Sequence, residues 1–345
     1  MVEKYRPGLG DERWPFVTHF VGCKPWHGSS GDYAAERCAK QMERAYNLAD
    51  NQVLEGYGYV HPNLQTVSVE KVEKVEGCDG SILLKISSGT ELDDPANGSI
   101  RKVALDLIDD AKANIEKACP GVVSCSDIVV LAGRESVKQT GGPAFSVPLG
   151  RRDSFTFSPS TNDLPPPIFS FQQQLDSFQK KNLDATDLVA LSGAHTLGVA
   201  QCGSFSNRLR PSVDPKLNKD YAKFLINTCP TDSTAKTTAL DFFTPNKFDN
   251  IYYKNFATGG TLLTSDQNLD QNAQALNLVR FYASNQTAFF NQFLWSYMKM
   301  SQIGPKFNND GEIRKKCTTT NSGRIFPTEN SEEIISMVVD GRDSM

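Results

Sequence analysis

From residue 98 to residue 300 the apolar side chains recur mostly at helical spacing, and this periodicity constrains the fold more than any other feature of the chain. The stretch opened by Ser99-Ile100-Arg101 carries Val103, Leu107, Ile108, Ala111 and Ile115 on one side and ends at Cys119-Pro120. A second helix is expected from about Ser126, whose hydroxyl can cap its nitrogen end, to about Lys138, stopping at Gly141-Gly142-Pro143. Residues 143–167 are a loop rich in Pro and Ser. Phe169–Lys180 and Asp187–Leu197 read as further helices, and Leu276–Met300, dense in aromatics, as a long core helix. Upstream, residues 1–35 are irregular and 32–53 turn helical, with Tyr33, Met42, Ala45, Leu48 and Ala49 at helix-like spacing. The fold class is therefore mainly α with long loops, which excludes a plan built on alternating strands and helices.

Composition narrows the function classes. Thirty-six Lys and Arg against 40 Asp and Glu leave a net charge of −4 over 345 residues, unlike the basic balance of a nucleic-acid binder. No run approaches the roughly 18 apolar residues of a membrane span. The start, MVEKYRPGLGDERWPF, lacks the basic opening and apolar run of a secretory signal. Eight cysteines and two sequons, at Asn97 and Asn285, point instead toward an oxidising compartment.

His195 stands apart from the other three histidines, at 19, 27 and 61. It lies in DLVALSGAHTLG, where Ser192, Gly193 and Ala194 let something flat or bulky approach. Taken by itself it reads equally well as a core histidine satisfied by a backbone carbonyl. Downstream, DFFTPNKFD (241–249) gathers two carboxylates and a hydroxyl, hard oxygen donors suited to calcium, though the same residues also suit a capped turn. In TSDQ (264–267), a buried Asp266 could accept the second ring N–H of a ligating histidine.

With VEGCDGSILL (75–84), ACPGVVSCSDIV (118–129), GGPAFSVPLGRRD (141–153), DLVALSGAHTLG (187–198), DFFTPNKFDNIYY (241–253), SDQNL (265–269) and GEIRKKC (311–317) in this order, the chain resembles a plant secretory haem peroxidase. The resemblance implies the helical fold of that family, haem b and calcium as cofactors, hydrogen peroxide as oxidant and small phenolic donors. It implies His195 as the ligand of haem iron on the proximal side, with Asp266 behind it. Thr196, Asp241, Thr244 and Asp249, with the Lys247 carbonyl, would hold a proximal calcium. Val75, Gly77, Asp79 and Ser81, with Glu91 nearby, would belong to a distal one. Asn97 would orient a distal histidine, and Pro165 would line the route for aromatic donors. Cys125 would pair with Cys317 and Cys202 with Cys229. A monomer, without nucleic-acid or membrane partners and placed outside the cell or in the vacuole, is the expected state.

The same resemblance exposes a gap. The family's distal helix ends R-x-x-F-H-D-C-F, and here Glu70-Lys71-Val72-Glu73-Lys74 precede Val75. The distal Arg and His are missing, a calcium Asp is Val72, and Cys78 and Cys119 lack their family partners. WPFVTHFVGCKP and the following GDY…ERC…QMERA…ADNQ resemble instead the C-terminal end of a xyloglucan xylosyltransferase-type glycosyltransferase, in which His19 would match a metal ligand next to the sugar nucleotide, Gly22 and Lys24 would face its diphosphate, and Cys23 could pair with Cys38. The implied organisation is a small mixed, partly helical transferase-like fragment over 1–73, an incomplete peroxidase domain over 74–320 and a C-terminal extension over 321–345. The alternatives are an inactive fused or wrongly joined chain and, remotely, a glycosyltransferase.

Overall fold

A computed structural model describes residues 77–85, 89–94, 97, 100–157, 164–232, 236–306 and 308–321. Helices dominate the described residues. In chain order they are α1 (Lys102–Ala118), α2 (Cys125–Gln139), α3 (Phe171–Gln179), α4 (Ala185–Ser192), α5 (Lys219–Thr228), α6 (Ile251–Thr258), α7 (Thr264–Gln267), α8 (Ala273–Ser284) and α9 (Gln286–Met300). The regular strands among these residues are short: β1 (Val199–Gln201) pairs antiparallel with β2 (Thr237–Ala239), Ala200 facing Thr238. The periodicity gave no sign of this ribbon, because three-residue strands are too short to show alternation.

The centre of the molecule is α4. Its Leu188, Val189 and Ala190 are almost fully buried, as expected of a helix apolar on every side. It packs against α9, α8 and α3. Asp184 caps its start, accepting hydrogen bonds from the Thr186 and Asp187 backbone N–H groups at 2.8 and 2.9 Å. Asp187, 1% exposed, is satisfied by the Ser296 hydroxyl at 2.7 Å and by the Lys299 ammonium, which ties α4 to α9. Around this helix Phe248, Tyr252, Tyr253, Val279, Tyr282, Phe289 and Phe293 form the main core. A second cluster joins α5 to Phe205, Leu262 and Leu263. The bridge Cys125–Cys317 closes a separation of 192 residues, and Cys202–Cys229 one of 27, beside the ribbon. Both pairings match those the family resemblance implied. Cys78 and Cys119 are free.

Several boundaries differ from the sequence reading. Ser124, not Ser126, caps α2 by accepting from Asp127 N at 3.1 Å; the Ser126 hydroxyl donates to the Cys78 carbonyl at 2.6 Å. The buried face of α1 is rotated: Val103 and Leu107 are 67% and 63% exposed, whereas Leu105 and Ile108 pack on the Cys125–Cys317 cluster. Lys112, 1% exposed, lies on this inner face because its ammonium reaches Glu116 and the Val123 carbonyl, both at 2.6 Å. The expected long helix over 276–300 is two helices, since the Asn285 side chain accepts from Ala288 N at 2.9 Å and starts a new one. The helix carrying His195 stops at Ser192 and tightens into a 3₁₀ turn over Gly193–Thr196.

Candidate active site: a histidine–carboxylate couple

The tight turn after α4 aims His195 at α7. Its Nδ1–H donates to Asp266 Oδ1 at 2.8 Å. An ionised carboxylate can only accept, so the proton sits on Nδ1 and the Nε2 lone pair is left for another partner. Nε2 makes no hydrogen bond among the described residues. The side chain keeps 37% of its surface and Ala194 beside it is exposed. Burial pulls the imidazolium pKa down, but the Asp266 charge and hydrogen bond outweigh it and the net shift is upward.

The small residues before His195 admit flat neighbours, as their size suggested, and those neighbours are protein rings. A Cβ at Gly193 would collide with the Tyr253 hydroxyl and the Phe289 ring. Glycine thus lets the aromatic core come up against the turn, fixing the backbone that carries the imidazole.

Asp266 is 3% exposed and held from three sides. Beyond His195, the Tyr252 hydroxyl donates to the same Oδ1 at 3.0 Å, and Leu263 N donates to Oδ2 at 3.3 Å. Burial, then the Asp266 charge, push the Tyr252 phenol well above its ordinary range. The chain just before α7 is clamped by Arg208. Its guanidinium, 2% exposed, donates to the carbonyls of Thr261, Leu262 and Leu263 at 2.5, 3.1 and 3.3 Å and pairs with Asp214 at 2.9 Å. Ser265 N donates to the Pro167 carbonyl at 2.8 Å, which brings the half-buried Pro165 and its loop onto the helix of Asp266. Sequence reasoning missed Tyr252 and Arg208. Tyr252 gives no signal of its own in an aromatic-rich segment, and Arg208, set among Ser206, Asn207 and Arg210, reads as an ordinary surface arginine.

Immediately after His195, Thr196 opens the oxygen-rich site read from residues 241–249. Its hydroxyl lies 3.3 Å from Asp241 Oδ2 and 3.2 Å from the Lys247 carbonyl. The Thr244 hydroxyl lies 3.1 Å from both Asp241 Oδ2 and Asp249 Oδ1. Asp241 and Asp249 are 0% and 3% exposed. Lys247 Nζ stands 3.8 Å from Asp249. Two buried carboxylates, two hydroxyls and a carbonyl around one point are hard donors that fit calcium. No group of three or more His, Cys, Asp or Glu side chains suited to a metal occurs among the described residues. The donor set here depends on hydroxyl and carbonyl oxygens as well.

On the other side, Asp79 is 4% exposed and accepts from Ser81 N at 3.2 Å. Burial raises its pKa, outweighing the Ser81 hydrogen bonds and the positive fields of Lys306 and Arg314. Gly77 is required where it stands, because a Cβ would run into the Ile303 carbonyl. The Asn97 amide donates to the Glu91 carbonyl at 2.8 Å. Asp79 and Ser81 thus meet, and Glu91 and Asn97 meet. Val75, His19, Gly22, Lys24, Cys23, Cys38 and residues 70–74 lie outside the described residues, as do the 1–73 fragment and 322–345 of the extension.

A helical body, a histidine held by a buried carboxylate with its far nitrogen open, and a cluster of hard oxygens one residue on point to a haem peroxidase. Sequence comparison agrees: the peroxidase family model matches residues 37–285, and the chain belongs to that family. It is 41% identical over 271 residues to Peroxidase 12 of Arabidopsis thaliana, covering 76% of each chain. It is 46% identical to Cationic peroxidase SPC4 of Sorghum bicolor, covering 72% of this chain and 70% of that one, and 45% identical to Peroxidase 42 of Zea mays, covering 72% and 77%. By family it is an oxidoreductase that uses hydrogen peroxide, and the family implies haem and calcium. The match opens at residue 37, upstream of the 74–320 span expected for the peroxidase domain.

Proposed function

We propose that this chain binds haem through His195 and oxidises small phenolic donors with hydrogen peroxide, at a turnover reduced by the lack of the distal Arg and His. The observation that carries the reading is the 2.8 Å bond from His195 Nδ1 to Asp266, which commits one ring nitrogen and leaves the other to face outward. Haem b, when bound, supplies the redox chemistry. The residues of this chain hold and tune it: Asp266 fixes the tautomer and orientation of His195 and raises its basicity. Thr196, Asp241, Thr244, Asp249 and the Lys247 carbonyl hold calcium and brace the turn that carries His195. Gly77, Asp79, Ser81 and Val75, with Glu91, form a second calcium site that lacks the family's Asp at Val72. Pro165 lines the donor route, supported by the Pro167–Ser265 bond. Adding hemin should give a Soret band that His195→Ala abolishes; no band would sink the reading.

We further propose a peroxidase domain over 74–320 behind a transferase-like segment over 1–73, in a monomer exported or sent to the vacuole, with 321–345 as a tail. The change of sequence character at 70–75 supports this boundary. The family match from residue 37 favours a second reading, a peroxidase with a divergent N-terminal helix. Transcript sequence across codons 60–80 separates these from a wrongly joined chain: two separate messages would mean that no such protein is made.

A further inference from the structure

Asp266 does not serve His195 alone. Its Oδ1 accepts from the imidazole Nδ1 at 2.8 Å and from the Tyr252 hydroxyl at 3.0 Å. Tyr252 is 3% exposed, and its ring stands edge-on to the imidazole with centroids 6.3 Å apart. The phenol therefore reaches the carboxylate from within the core. Neighbours fix it there: Tyr253 and Phe256 pack edge-on at 5.0 and 5.8 Å.

We propose that Tyr252 is a positioning residue that sets how strongly Asp266 pulls on the His195 Nδ1–H, and through it how much electron density His195 gives to a bound iron. This rests on the axial role proposed for His195. The physical argument is a competition for one oxygen. A carboxylate oxygen that accepts two donors shares its charge between them, so each bond is weaker than it would be alone. A weaker Nδ1–H···O bond leaves the imidazole less like an imidazolate. A less basic ligand stabilises ferric iron less, and the reduction potential is higher. Among the described residues the further donor to the carboxylate, Leu263 N, engages Oδ2 and leaves this competition untouched.

Four hemin-loaded full-length chains test it: the unmodified chain, Tyr252→Phe, Asp266→Asn, and Tyr252→Phe combined with Asp266→Asn. The readout is the ferric/ferrous midpoint potential from a spectroelectrochemical titration. Tyr252→Phe should lower it, shifting the ferric-to-ferrous ratio at fixed poise by roughly tenfold, or about 59 mV for one electron. In the Asp266→Asn background the same change should have little effect, because the shared anion is gone. If Tyr252→Phe does not fold, fluorination of the Tyr252 ring next to the hydroxyl strengthens the donor without changing the packing and should raise the potential. An unmoved potential with an intact, His195-dependent Soret band would overturn the proposal while leaving the axial role standing. Absence of any His195-dependent band would overturn the axial role and this proposal together.

Discussion

Thr196, the residue after His195, places its hydroxyl 3.3 Å from Asp241 Oδ2, so the turn that presents the imidazole is also a wall of the oxygen cluster proposed to hold calcium. Calcium at that site should therefore stabilise the fold and hold His195 in place. At a calcium concentration about 100 times the Kd, binding to the native state alone adds about 2.7 kcal/mol. Chelation should lower Tm and broaden the hemin-induced Soret band, and Asp241→Asn should remove both responses to added calcium. A variant that still gains its full Tm shift with calcium would place the ion elsewhere.

Gly193→Ala should destabilise by about 1–3 kcal/mol, the usual cost of an extra methyl group in a filled core. The new Cβ meets the Tyr253 hydroxyl and the Phe289 ring, which lie in the main cluster and cannot swing into solvent. Because the displaced backbone is the turn that carries His195, hemin affinity should fall along with the urea midpoint. Unchanged stability would mean that the turn relaxes freely.

The helical class, the lone histidine, its carboxylate and the oxygen-rich loop were all legible in the sequence, because each is either a periodicity or a short run of donors. The disulfide pairings came only through the family resemblance, since spacing by itself leaves many pairings open. Tyr252 and Arg208 were not legible. Tyr252 looks like one aromatic among many until α6 sets it against α7, and the reach of Arg208 to the carbonyls of Thr261, Leu262 and Leu263 is a long-range contact. The rotated face of α1 has a local cause: a charged Lys112 turned inward satisfies its ammonium on Glu116 and the Val123 carbonyl, which the pattern of apolar letters does not reveal.

Removing Cys125–Cys317 by paired Cys→Ser changes should cost more than removing Cys202–Cys229. In the chain-entropy model, loops of 192 and 27 residues give about 5 and about 3.5 kcal/mol respectively. Both bridges are buried at all four cysteines, so packing losses are similar for the two pairs. Guanidinium midpoints should fall in that order, and the reverse order would point to residual structure in the unfolded chain.

Arg208→Lys keeps the charge but loses the planar guanidinium, in which Nη1 reaches three successive carbonyls while Nε pairs with Asp214. The expected cost is about 2 kcal/mol. Burial pushes the Asp214 carboxyl up, but the Lys216 backbone N–H and Arg208 more than offset this, and its pKa ends below the ordinary 3.8. A carboxyl lowered in the folded state contributes stability above the unfolded value and loses it as pH falls through the folded one. The gap between Arg208→Lys and the unmodified chain should thus stay level from pH 7 to pH 5 and narrow only below about pH 4. A gap that closes near neutral pH would implicate a different group.

Turnover tests the proposed lack of a distal Arg and His. In the family the distal histidine takes a proton from peroxide and returns it to the leaving oxygen, while the arginine stabilises developing charge. Such acid–base help is worth about 100- to 10,000-fold. Glu70, Lys71, Val72, Glu73 and Lys74 stand before Val75, and a Lys or Glu can supply charge but not a base with an ordinary pKa near neutral pH. Guaiacol oxidation by the hemin-loaded chain should therefore run at least about 100-fold below that of Peroxidase 12 under the same conditions. A His195-dependent Soret band should be present in this chain all the same. Equal rates would show that a group elsewhere in this chain performs the proton transfer, with His61 the first to replace by Gln.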